Sequence, residues 1–340
     1  MNILIEENAS LAPMTTMKVG GHARFFVRVK NIEEIKEAVS WAYQKKVQFF
    51  ILGGGANTLV GEKGFSGLVI KIECKGISYK KSGESTSVVI GAGEIWDDIV
   101  RDAVKRGLWG IENLSLVPGT AGGAVVQNIG AYGATLGDVV KEVEAFDTKT
   151  MNTKVFLRDE CASGYRESVF KKNHYLIVTR VTLILRQNGK PLSNYEDVKK
   201  YFLEKRITKP SLSDMREAII AIRTAKMPAP PLGTAGSFFK NPIVSKGEFL
   251  RLQKEFPEIK TYPAGENQVK ISAAWLLDKV GGFRGFRDGD AGTYEKQALI
   301  LVNHGTATAG DMISLAEKIK KSIKEKTGVT LEEEVVMMPE

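Results

Sequence analysis

The sequence predicts a mixed α+β protein of two or three domains, and three observations carry that expectation. The chain has 340 residues, of which 43% are hydrophobic, more than a single ordinary core requires. Short apolar runs of strand length alternate with amphipathic stretches of helical period. A rigid segment, Met227-Pro228-Ala229-Pro230-Pro231-Leu232-Gly233, separates a glycine-rich first part from a last part of different composition.

Taken in order, Arg24–Val29 alternates as a strand. Asn31 caps the next helix, with Glu34 placed for a capping-box-like start; Ile35, Ala38, Val39 and Ala42 mark its buried face. Strands are expected at Phe49–Leu52, Gly67–Ile72 and Ser87–Ile90. A helix then runs to about Arg106 and buries Trp96, Ile99, Val100 and Val104. Strand-like pieces follow at Val143–Asp147, Thr153–Phe156 and Leu176–Leu185. Tyr195 leads into an amphipathic segment, and a helix spans Ser213–Ala225, capped by Ser213, with Ile219, Ile220 and Ile222 inward. Beyond the linker, helices are expected at Lys246–Phe256 and Ser272–Val280, a tight loop at Gly281–Gly285 and a strand at Gln297–Val302. The last helix starts at Thr308 with Asp311 in capping-box position; its stripe is Ile313, Ala316, Ile319 and Ile323, and Gly328 ends it. Val329–Met338 reads as a terminal strand able to return to the first sheet.

Two stretches point to a ligand. Asn113–Gly137 holds no charged residue and carries six glycines, one proline and the pair Gln127-Asn128, in a chain that is 26% charged. Gly53-Gly54-Gly55-Ala56-Asn57-Thr58 follows a strand directly. Glycine lets backbone approach a ligand closely, and successive N–H groups in such turns form anion-binding nests. A neutral, donor-rich loop suits a pyrophosphate; a buried crossover is the structural alternative. The second stretch lacks the Gly-Lys-Ser/Thr ending, which excludes a P-loop. Gly91-Ala92-Gly93-Glu94 imitates a dinucleotide fingerprint without its third glycine and reads as a strand-to-helix turn. Arg166, between Tyr165 and the Val169-Phe170 pair, reads by itself as a surface charge.

Bulk properties exclude several classes. The net charge of +8 is spread along the chain rather than gathered in a basic stripe, so no nucleic-acid partner is expected; a mild positive field favours an anionic substrate. Cys74 and Cys161 form no C-x-x-C, and His22, His174 and His304 show no metal spacing, so no metal site is expected. The N-terminus lacks the plan of a signal peptide, and no apolar run approaches the roughly 20 residues of a membrane helix. A cytoplasmic, membrane-free monomer is expected.

Several motifs then occur in one order: Thr16–Gly21, Gly53–Val60, Pro118–Gly123, Gln127–Gly133, Tyr165-Arg166, Gly236–Pro242, Gln297–Leu299 and Leu331–Val335. Together they span almost the whole chain, and in this order the set is specific. The sequence resembles the UDP-N-acetylenolpyruvoylglucosamine reductase family, and Leu192–Val198 resembles its subgroup with a tyrosine-bearing loop. The resemblance implies an FAD-binding fold of the vanillyl-alcohol-oxidase type in two subdomains, 1–70 with 328–340 and 71–226, plus a substrate-binding α+β domain at 227–327. The terminal strand is implied to rejoin the first subdomain.

The resemblance also implies chemistry. NADPH reduces FAD, and a hydride then passes to the enolpyruvyl β-carbon of UDP-N-acetylglucosamine enolpyruvate, giving UDP-N-acetylmuramate for peptidoglycan. Arg166 matches the carboxylate clamp, since a guanidinium grips a carboxylate bidentately. Glu334 matches a carboxylic acid in the same role, and must carry or share a proton to help. Ser237 matches the donor of a proton to the α-carbon, with Lys226 or water as assistants. Tyr195, Lys226, Asn241 and Gln297 match contacts to the nucleotide sugar. Gly53, Gly54, Gly55, Ala56, Asn57, Thr58, Leu59, Pro118, Gly119, Gly122, Gly123, Gln127, Asn128, Ala131 and Tyr132 match FAD contacts. One departure stands out: Glu332-Glu333-Glu334-Val335-Val336 has Val336 where the family often has an arginine. Strand alternation excludes only Glu333 as the acid. An alcohol oxidase on the same flavin fold and a non-catalytic nucleotide-sugar binder are the competing readings.

Overall fold

Local sequence signals set most elements, and longer-range pairing gathers them into two compact units. A computed structural model of the chain describes residues 3–339; Met1, Asn2 and Glu340, which close the expected spans 1–70 and 328–340, lie outside the described residues. The first unit takes in Ala23–Gly55 and Ser66–Ala225 together with residues up to Ala9; the second takes in Ser10–His22, Ala56–Phe65 and the chain from Lys226 onward.

The first unit holds two sheets. One orders Glu6–Ser10, His22–Val29, Phe65–Ile72 and Phe49–Leu52, the last two parallel. The other is antiparallel throughout and orders Asn152–Leu157, Val140–Asp147, Leu176–Arg186, Ser85–Gly91 and Ile77–Ser82. The helix Ile32–Lys45 is capped by the Asn31 side chain, which accepts from Glu34 N–H, and buries Ile35, Ala38, Val39 and Ala42 as expected. The helix Trp96–Lys105 buries Ala103 rather than Val104, which is half-buried. One continuous core runs from Val27 through Trp96 and Phe146 to Leu185.

A separate small cluster joins the helices Glu196–Lys205 and Leu212–Lys226 through Val198, Phe202, Met215, Ala218, Ile219 and Ile222. The second of these helices starts one residue earlier than expected. Ser211 is its cap: its hydroxyl accepts from Asp214 N–H, and the Asp214 carboxylate accepts from Ser211 N–H and Oγ–H. Ser213 instead faces Glu217 on the exposed side, and Ile220 is only half-buried.

The second unit is built on the antiparallel sheet Gly233–Ser237, Gln297–Asn303, Ala291–Tyr294, Arg287–Asp288 and a three-stranded sheet of Ile243–Ser245, Gln268–Ile271 and Thr261–Pro263. Helix Ala309–Thr327 carries the expected Thr308–Asp311 capping box and ends at Gly328, whose φ is +77°. Its buried stripe is Met312, Leu315, Ala316, Ile319 and Ile323; Ile313 is exposed, because the stripe lies one position away from it. The helix expected at Ser272–Val280 is one short turn, Ala273–Trp275, continued by a π-turn, Leu276–Val280.

The terminal segment is the largest correction. A strand expected over Val329–Met338 is only Val336–Met337, and it pairs in parallel with Thr58–Leu59 as a separate two-stranded ribbon instead of joining the first sheet. The preceding glutamates meet Phe238–Lys240 through a single antiparallel bridge, Phe239 with Glu333. Three charged side chains in succession cannot alternate into a core, so regular pairing stops there.

Candidate active site

In the first unit the two glycine-rich stretches meet. A Cβ on Gly54 would lie 2.7 Å from Gly119 Cα, and one on Gly53 would lie 3.0 Å from Thr120 Oγ1. Only hydrogen fits at Gly54. Thr120 Oγ1 is buried without a hydrogen-bond partner among the described residues; such a group needs a ligand or water to satisfy it. A side-chain-free cradle with an orphaned hydroxyl fits a large, flat cofactor held by backbone. One part of the expected nest is spent: Ala121 and Gly122 N–H donate to the Glu94 and Ala92 carbonyls at 2.9 Å each. Asn113–Gly137 is also not all loop, since Ala121–Val126 forms a short helix of small residues.

The Gln127–Gly133 motif builds the bed for Arg166. Asn128 donates to Gly164 O at 2.7 Å and accepts from Gly137 N–H at 2.9 Å, which pins the turn carrying Arg166. Lys171 Nζ donates to Gln127 Oε1 at 3.2 Å and to Arg166 O at 2.9 Å. The Arg166 guanidinium is half-buried and donates to Gly130 O at 3.1 Å, so it is an anchored inward group and not the surface charge that residue-level reading favoured. Asn128, Tyr132 and Arg166 all sit at positive φ, +39°, +48° and +56°. Such backbone costs roughly 1–3 kcal/mol per residue and gathers at functional sites.

Tyr132 links this bed to the Tyr195 segment. Asn113 Nδ2 donates to the carbonyls of Tyr132 (2.8 Å) and Leu192 (2.9 Å), and the Tyr132 and Tyr195 rings meet edge to face at 5.3 Å. Burial pushes the Tyr132 phenol up, partly offset by the Arg223 guanidinium beside it. Ala131 lies in the tight hairpin between them. The two helices of this segment are fastened by Arg216, which grips Asp97 with two bonds of 2.8 Å and donates to Ser115 Oγ at 2.9 Å. Burial would raise the Asp97 carboxyl, but the Arg216 bonds outweigh it and hold the group below its usual range. Sequence reading missed Arg216, Arg223 and Asp97; the available signal was two arginines seven apart on a helix face otherwise filled by Met215, Ile219 and Ile222.

In the second unit Ser237 closes its strand opposite Ile300, and Phe238 N–H donates to Leu299 O at 2.9 Å. Glu334 N–H donates to Phe238 O at 2.8 Å, and Lys240 N–H donates to Glu332 O at 2.8 Å. Phe238, next after Ser237, is therefore bonded to both Leu299 and Glu334. Lysines sort the neighbouring carboxylates: Glu332 faces Lys240 at 3.5 Å, and Glu333 is held by Lys320 at 2.8 Å. Asn241 Oδ1 accepts from Ala273 N–H at 2.9 Å, Gln297 opens its strand half-buried, and Lys226 is half-buried. Asn57 and the Thr58–Leu59 strand lie in this unit beside the terminal segment, Asn57 Nδ2 donating to Glu334 O at 3.0 Å. Pro118 and Gly123 remain with the first unit's glycine cradle.

Known proteins resemble the chain along its length. Residues 228–338 match the UDP-N-acetylenolpyruvoylglucosamine reductase C-terminal domain, and residues 23–150 match an FAD binding domain. UDP-N-acetylenolpyruvoylglucosamine reductase of Flavobacterium johnsoniae is 39% identical over 97% of this chain and 98% of its own. That of Pseudomonas aeruginosa is 39% identical over 98% and 99%. A crystal structure of UDP-N-acetylenolpyruvylglucosamine reductase from Thermus caldophilus covers 100% of both chains with a TM-score of 0.70 at 26% identity.

Proposed function

The chain belongs to the UDP-N-acetylenolpyruvoylglucosamine reductase family, and from that premise we propose that it uses NADPH to reduce UDP-N-acetylglucosamine enolpyruvate to UDP-N-acetylmuramate. It is an FAD-dependent oxidoreductase of peptidoglycan precursor synthesis. In this proposal FAD-binding subdomains cover 1–70 with 328–340 and 71–226, and 227–327 binds the nucleotide sugar.

FAD, when bound, supplies the hydride that the enolpyruvyl β-carbon receives. The rest falls to side chains. Hydride addition to an α,β-unsaturated carboxylate pushes negative charge onto the carboxylate. Arg166, anchored at Gly130 O, holds that carboxylate through its guanidinium. Glu334 stabilises the same charge as a carboxylic acid. Each such donor is typically worth about 3–4 kcal/mol. Ser237 gives its hydroxyl proton to the α-carbon and recovers it from Lys226 or water. Tyr195, Lys226, Asn241 and Gln297 bind diphosphate and uridine. Backbone of Gly53–Leu59 and Pro118–Gly123, with Gln127, Asn128, Ala131 and Tyr132, holds FAD.

One observation carries the catalytic assignment: the Glu334 N–H bond to Phe238 O, which fixes the acid next to the serine strand. The two half-reactions test it. In Ser237→Ala, flavin reduction by NADPH keeps its rate, while re-oxidation by the enolpyruvyl substrate slows by roughly 10²–10⁴. Equal slowing of both halves removes Ser237 from the proton-transfer role.

A further inference from the structure

We infer that Asn57 is a positioning residue for Glu334, an inference that rests on the acid role proposed for Glu334. The parallel ribbon that ties the terminal segment begins at Val336 opposite Thr58 and continues to Met337 opposite Leu59. Its hydrogen bonds run from Val336 N–H to Asn57 O and from Met338 N–H to Leu59 O, both 2.9 Å. Glu334 lies before the first of these pairs, at the end of the ribbon. There the Asn57 side chain extends the ribbon: Nδ2 donates to Glu334 O at 3.0 Å. Asn57 thus grips both sides of Val335, by its main-chain carbonyl at Val336 and its amide at Glu334. On the other side Glu334 N–H is held by Phe238 O at 2.8 Å. The peptide groups flanking the Glu334 Cα are both fixed, one through the serine strand and one through Asn57.

The strand bearing Asn57 is itself restrained. Glu62, a few residues on, caps the helix Ala309–Thr327 by accepting from Ala309 and Gly310 N–H. Asn57 is therefore a firm point from which to aim Glu334, and a displacement of about 1 Å at a catalytic group costs roughly 10²-fold in rate.

Asn57→Asp is the discriminating variant, because it keeps size and removes the donor. The expected result is a loss of about 10–100-fold in kcat, with KM within about threefold, FAD content stoichiometric and only a small fall in Tm from the lost hydrogen bond. In a Glu334→Gln background the same substitution costs less than about twofold, because the group it aims is already gone. Full additivity with Glu334→Gln, or loss of FAD from Asn57→Asp, overturns the inference: the first shows that Asn57 acts elsewhere, the second that it acts through the cofactor. Asn57→Ala serves the same cycle if the aspartate variant does not fold. A Glu334→Gln enzyme with wild-type turnover overturns the acid role itself, a result distinct from additivity.

Discussion

The glycine cradle of the first unit and the acidic ladder of the second solve opposite problems. Around Gly54 and Gly119 side chains are left out: backbones approach to distances no Cβ permits, and Thr120 Oγ1 is buried without a hydrogen-bond partner among the described residues. Around Glu332–Glu334, Glu332 and Glu333 are paired with Lys240 and Lys320, and Glu334 is fixed by its backbone on both sides. The first region is decided by sterics and the second by charge placement. Substitutions in the cradle should therefore show in flavin content, and those in the ladder in turnover at full flavin content.

The largest effect is expected in the ladder. Glu334→Gln keeps shape and hydrogen-bond capacity but removes the titratable acid. We expect kcat to fall by roughly 10²–10³, with flavin absorbance per protein unchanged; a colourless variant would break the division between the regions. Next comes Gly54→Ala. Its Cβ meets backbone, not the end of a flexible side chain, so the loops must separate, at about 1–3 kcal/mol. Purified protein should lose most of its flavin and regain it only at excess FAD, with near-normal turnover once saturated.

The neutral stretch is also braced by charged side chains from outside it. Arg216 reaches Ser115, within the neutral stretch, while gripping Asp97. Their side chains are 11% and 20% exposed, so removing Arg216 should cost about 2 kcal/mol, between exposed and fully buried pairs. The Asp97 carboxyl is held below its usual range in the fold. Its contribution is therefore complete above the unfolded carboxyl pKa of about 4 and fades as pH falls through the lower folded value. The Tm difference between wild type and Arg216→Met should be constant near neutrality and shrink below about pH 4. Lys320→Ala should matter least. Glu317 and Glu333 both raise the Lys320 ammonium, Glu317 the more, but the pair is solvent-facing, and the change should cost under about 1 kcal/mol with a small change in kcat. A large fall in kcat would mean that Glu333, not only Glu334, bears on the chemistry.

The same contrast explains what the sequence made legible. Caps were readable because they are local: Asn31 with Glu34 and Thr308 with Asp311 lie three residues apart. So was a close backbone approach at the two glycine-rich stretches, since clustered glycine is costly without one. That Gly54 would meet Gly119 was not readable, because no local pattern records a contact between loops so far apart in the chain. The terminal strand misled for the reverse reason. Its apolar ends suggest a strand, but the three glutamates between them break the alternation, and Thr58–Leu59 offers only a short ribbon. Arg166 was undervalued by residue type alone; its bed of Asn128, Gly130 and Lys171 exists only in three dimensions. Ile313 shows the limit of helical periodicity, since a rotation of one position exchanges it for Met312.

The central claim is that this flavin cradle serves a reductase whose oxidant is an enolpyruvyl nucleotide sugar. Anaerobic absorbance spectroscopy of the FAD-loaded protein tests it most directly. NADPH should bleach the flavin, and UDP-N-acetylglucosamine enolpyruvate, added without oxygen, should restore the oxidised spectrum with stoichiometric formation of UDP-N-acetylmuramate. A flavin that stays oxidised under NADPH, or that is re-oxidised only by oxygen, would contradict the account.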